Sequence, residues 1–122
     1  MPIISGFISK HTGRWLSLQH EEARAGIKQM LQGNIRFEGH FNKCFDNLKE
    51  SQQKELIGWV KDCSEGKIGP IQSKNKRELI GFVKRFGSSL RAILTKEKKG
   101  YYIALFLDKH KYYEQEMDVL GF

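Results

Sequence analysis

Apolar positions recur along this chain with two different periods, and the expected element changes where the period changes. Ala23, Ile27, Met30 and Leu31 repeat at i, i+4, i+7 and i+8 behind Ser17, with Glu21 and Glu22 in the first turn and Gly33-Asn34 after the last. That pattern predicts a capped amphipathic helix of about fifteen residues. Ahead of it, Ile3, Ile4, Phe7 and Ile8 suggest a short strand that Gly6 weakens. Ile35 to Glu38 alternates as a strand does. Phe41, Cys44, Phe45 and Leu48 then give a second helical stripe, and Leu56, Ile57, Val60 and Cys63 a third, opened by Ser51 and ended by Gly66. So short a turn between them predicts an antiparallel helical hairpin.

Asn75 to Glu78 reads as a capping-box variant, and Leu79, Ile80, Phe82, Val83 and Phe86 predict a short helix over 76–86 stopped by Gly87. The clearest strand signal follows: Leu90 to Thr95, the polar loop Lys96 to Gly100, and Tyr101 to Leu107 predict a β-hairpin. Leu90, Ala92 and Leu94 share one face of its first strand, leaving Arg91 and Ile93 on the other. The nearly continuous apolar second strand is expected to be central and covered on both faces. Asp108 to Phe122 fits either a strand edge or a last helical turn. The expected class is α+β: a small antiparallel β-sheet packed against an α-helical hairpin, with an N-terminal helical extension, in a single domain over 1–122.

Composition narrows the picture. A chain of 122 residues is long enough for one core without a disulfide or structural metal. No apolar run approaches a membrane span, and the first ten residues lack the order of a secretory signal. A cytoplasmic protein with no membrane partner is expected. Cys44 and Cys63, each on the apolar side of a helix, fit reduced core thiols. The formal charge of +7 is concentrated: residues 67–100 hold ten bases against two acids, net +8, while the rest is nearly neutral. Such a zone suits a phosphate backbone, and a solvated Lys-rich face explains it equally well. The candidate nucleic-acid contacts are Lys74, Lys76, Arg77, Lys84, Arg85, Lys96, Lys98 and Lys99, with Lys109 and Lys111 beyond them.

Phosphate-cradling glycine loops and Cys-x-x-Cys pairs are missing. His40 with Cys44 and Cys63 forms at most a weak zinc set, so no metal and no cofactor is expected. What remains is Arg91 and the run Asp108 to Tyr113. His110 suits proton exchange near neutral pH, arginine and lysine suit a pentavalent phosphate, and Tyr112 or Tyr113 suits stacking on an unpaired base. Cleavage of RNA by its own 2′-hydroxyl needs only such groups. The competing reading has His110 bonding at a strand end and the tyrosines packing.

Phe41-x-x-Cys44-Phe45-x-x-Leu48, Leu56 to Val60, Ser89-Leu90-Arg91 and Tyr101 to Tyr113 together resemble the RelE/ParE superfamily of toxins from toxin–antitoxin systems, over about residues 34–113. Residues 1–33 are an extension relative to its short members, and 114–122 form a tail carrying three acids that could shield the basic cluster. The resemblance implies an endoribonuclease of the mRNA interferase type acting on RNA on the ribosome, with an acidic antitoxin as partner. Arg91 looks like the family's strand arginine, and His110 with Tyr112 or Tyr113 like its His/Tyr pair. The ParE branch inhibits DNA gyrase without cutting RNA, so the alternative is a non-catalytic basic protein that binds nucleic acid, a gyrase-type target or another acidic protein.

Overall fold

The structure is a computed structural model that describes residues 18–122; the strand suggested for Ile3 to Ile8 and the cap at Ser17 lie outside the described residues. In chain order the elements are α1 (His20–Met30), β1 (Ile35–Phe37), α2 (Phe41–Asp46), α3 (Glu50–Ser64), β2 (Ile71–Gln72), β3 (Ile80–Phe86), β4 (Leu90–Glu97), β5 (Gly100–Leu107) and α4 (His110–Leu120). The five strands form one sheet in the order β1-β5-β4-β3-β2. The α+β class is as expected, but the sheet is mixed, because β1 runs parallel to β5 while the other pairs are antiparallel.

Strand alternation divides the interior in two. Leu90, Ala92 and Leu94 of β4 join Ile103, Leu105, Phe82 and Phe86 in the main core beneath α1, α2 and α3. Ile93 points the other way and joins Leu79, Tyr113 and Leu120 under α4. The most buried strand is therefore β4, whose residues Leu90 to Thr95 are all buried, and β5 lies between it and β1.

Residues 18–31 are part of this core, since Ala23, Ile27 and Leu31 are buried in it. α2 and α3 share one core cluster and are linked by a hydrogen bond from Gln53 to Phe45, but neither packs on the other alone. α1 packs on both helices, and α2 lies on β5. Gln53, buried in α3, explains the geometry: its side chain accepts from the Leu18 N–H at 3.0 Å and donates to the Phe45 carbonyl at 3.5 Å, tying all three helices together. α3 begins one residue before the expected cap at Ser51, with the Lys49 N–H donating to Gln52 at 3.0 Å.

The helix expected over 76–86 is strand β3. Phe82 and Phe86 face the main core, while Val83 packs on the opposite cluster. Because both faces of the sheet are covered, the polar alternation that marks a half-buried strand is erased. Gly81 lies within the strand, where the Phe122 ring occupies the space that a Cβ would need. The tail is the helix α4, closed by Gly121 at φ 83°. It is anchored where Ser73 Oγ donates to the Leu120 carbonyl at 2.6 Å and the Lys74 N–H donates to Gly121 at 2.9 Å. β2 pairs only with Ile80 and Gly81, so from Phe82 to Phe86 the outer edge of β3 has no strand partner among the described residues.

Candidate functional site

Arg91 alternates with Leu90 and Ala92, so its side chain leaves β4 on the α4 face. Directly across the ladder stand Arg85 on β3 and Phe106 on β5. Two like charges placed opposite one another repel. Arg91 is also 8% exposed. Its Nη1 donates to the carbonyls of Gly87 at 3.3 Å and Leu90 at 3.1 Å, while its buried Nε has no partner. None of the ion pairs among the described residues includes Arg91. A buried guanidinium beside a second arginine, with a donor unspent and no carboxylate bonded to it, is energetically unfavourable unless an anion completes it.

A pocket of about 200 Å³ opens at this point, lined by Ser88, Ser89, Arg91, Asp108 and His110. The β3–β4 turn supplies the two serines. Asp108 is held at φ 56°, a left-handed conformation that aspartate tolerates better than most residues, and its N–H donates to the Ser89 carbonyl at 2.8 Å. That bend swings the chain from β5 into α4 and brings His110 to the same pocket. His110 Nε2 pairs with Glu114 one turn along the helix at 2.9 Å, which orients the ring, and Nδ1 has no partner among the described residues. The pocket therefore combines an anion-binding guanidinium with a carboxylate, an imidazole and two hydroxyls.

No protein-family model, curated protein or solved structure matches the chain.

The residues expected at a reaction centre separate into two sets. Arg91 and His110 converge, and Tyr112 lies exposed in the first turn of α4. Tyr113 is 8% exposed, its ring packed edge-on against Phe106 at 5.8 Å, so of the two tyrosines only Tyr112 presents an exposed ring. The basic zone divides as well. Arg85, Lys109 and Lys111 belong to the pocket's end of the sheet, with Lys84 beside Arg85 on the opposite face. Lys76, Arg77, Lys98 and Lys99 gather at the other end of β4, with Lys74 in the adjoining loop. Lys96 lies over the Tyr101 ring at 5.5 Å. Ser88 and Ser89 were missed as site residues because reading 76–86 as a helix hid the turn that presents them.

The weak zinc set does not converge. His40 pairs with Glu38 at 2.9 Å, and among the described residues no group of three or more His, Cys, Asp or Glu is placed to hold a metal. Burial, with the charge of Glu38 adding to it, pushes the Cys44 thiol up to about 11, against a lowering by the Leu107 backbone. Burial and then the Asp62 charge push Cys63 up to about 12. Both thiols stay protonated in the fold where an unfolded chain, near its ordinary 9.0, begins to ionise. The stability this supplies is complete below about pH 9 and is lost as pH rises towards 11 and 12. A thiol reagent at pH 8 should label native protein at less than about a tenth of the rate in denaturant; equal rates would contradict the buried placement. No described helix is long and apolar enough to cross a membrane.

Proposed function

We propose that this protein is a toxin-like endoribonuclease of the mRNA interferase type, with the Arg91 pocket as its reaction centre. The observation that carries the reading is the buried, half-unspent guanidinium of Arg91 opening on the same pocket as His110. In the reaction the 2′-oxygen of a ribose attacks the adjacent phosphorus and the 5′-oxygen leaves. His110 takes the 2′-hydroxyl proton at Nδ1, Arg91 and Arg85 stabilise the charge gathering on the pentavalent phosphate, and a solvent water protonates the departing oxygen. Tyr112, two residues from His110, offers an exposed ring on which an unpaired base stacks. The RelE/ParE resemblance supports the same assignment and adds two partners to the proposal, the translating ribosome and an acidic antitoxin protein.

Purified protein incubated with mRNA, alone and with translating ribosomes, should yield fragments ending in a 2′,3′-cyclic phosphate and beginning with a 5′-hydroxyl. Intact RNA under both conditions would refute the proposal. A second reading, a non-catalytic binder of nucleic acid, a gyrase-type target or another acidic protein, draws on the second basic cluster, which contains no histidine. It predicts function that survives loss of His110 and fails when Lys98 and Lys99 are neutralised.

A further inference from the structure

At the end of β4 away from Arg91, the segment before β3 and the β4–β5 turn close on a cleft of about 420 Å³ whose charged lining is Lys76, Arg77, Lys98 and Lys99 with Glu78 and Glu97. Lys98 is paired with Glu78 at 3.2 Å. Lys76, Arg77 and Lys99 take part in no ion pair among the described residues. The backbone beneath each of these three is tied down: the Lys76 N–H donates to Ser73 Oγ at 3.0 Å, Gln72 Nε2 donates to the Arg77 carbonyl at 2.8 Å, and Asn34 Nδ2 donates to the Lys99 carbonyl. Four bases against two acids leave the cleft net positive, and its three cations outside ion pairs stand on a hydrogen-bonded backbone, which lowers the ordering cost of binding a polyanion.

This cleft and the Arg91 pocket are six residues apart along one strand, or about 20 Å. Between them runs the edge of β3 that has no strand partner among the described residues, from which Lys84 and Arg85 project to opposite faces. No acidic residue occurs between Glu78 and Glu97. On the α4 side, Glu114, Glu116 and Asp118 repel a phosphate backbone, leaving the β3 edge as the favourable route.

We propose that the Lys76, Arg77 and Lys99 cleft is a remote phosphate-backbone site, and that the substrate is single-stranded RNA running from it along the β3 edge to Arg91. This rests on the reading of the Arg91 pocket as the cleavage site. A recessed pocket of this size admits a splayed, unpaired strand and excludes a duplex. At about 3.4 Å per nucleotide for a stacked strand, the two sites are bridged by at most about six nucleotides, and by fewer as the strand is splayed.

The test measures binding by fluorescence anisotropy in a His110→Ala background, with a single-stranded RNA of about twelve nucleotides and a dinucleotide. Lys76→Ala, Arg77→Ala and Lys99→Ala combined should weaken the longer RNA at least about tenfold and reduce the salt slope by about 2, at about 0.7 per phosphate contact. Dinucleotide affinity should not change. Melting and near-UV dichroism verify that the three exposed substitutions leave the fold intact. The remote site is overturned if the triple variant binds the longer RNA within about twofold of the parent, if the dinucleotide binds the parent as tightly as the longer RNA, or if a polyglutamate of equal charge displaces RNA at equal concentration. Because the readout is binding, a protein that cuts no RNA overturns the cleavage reading alone.

Discussion

Replacing His110 by alanine should lower RNA cleavage by about 10²- to 10⁴-fold, the usual contribution of a positioned general base, while leaving the melting temperature unchanged. The two effects separate because the imidazole is 56% exposed and Glu114, its ion-pair partner among the described residues, is exposed as well. Neither group leaves a buried partner stranded when the ring is removed. Affinity for the longer RNA should also hold, since its attraction comes from the arginines and lysines. Full cleavage by the alanine variant would remove His110 from the reaction and leave only the binding reading.

A chain ending at Asp118 should melt about 16–28 °C lower or fail to fold. The four residues removed include Leu120, buried on the α4 side, and Phe122, whose ring fills the notch over Gly81. Losing a buried leucine costs about 2–3 kcal/mol. The Leu120 and Gly121 carbonyls that hold Ser73 and Lys74 go with it, at about 1–2 kcal/mol each. The sum, about 4–7 kcal/mol, is comparable to the entire stability of many small domains. At about 4 °C per kcal/mol for a chain of this size, the shift is easily measured by calorimetry. Had the tail served only to carry its acids, the same truncation, which keeps Glu114, Glu116 and Asp118, would leave melting unchanged.

The β4–β5 hairpin was legible almost to the residue, because its apolar runs are long and a polar Lys-Glu-Lys-Lys-Gly loop separates them. α1, α3 and β1 were legible for the same reason: each carries a clean period. β3 was not, because Leu79, Phe82, Val83 and Phe86 stand at helical spacing while the fold buries them on two faces of a sheet. Only the mid-segment Gly81 argued against a helix. The α4 stripe of Tyr113, Met117 and Leu120 followed by Gly121 was present in the sequence, yet its meaning depended on a second core that no local pattern announces. The same gap hid half of the candidate site. Arg91 and His110 were singled out as residue types, but the arginine pair across the ladder and the serines of the turn exist only once β3 is a strand.

The bare edge of β3 has a further consequence for handling the protein. Five residues of strand with no partner among the described residues form a template on which a second chain could add, and natural sheets guard such edges with charged side chains. Lys84 and Arg85 occupy the guarding positions here. Neutralising them together should therefore promote self-association before it affects any ligand, so gel filtration should precede interpretation of any substitution at these two positions.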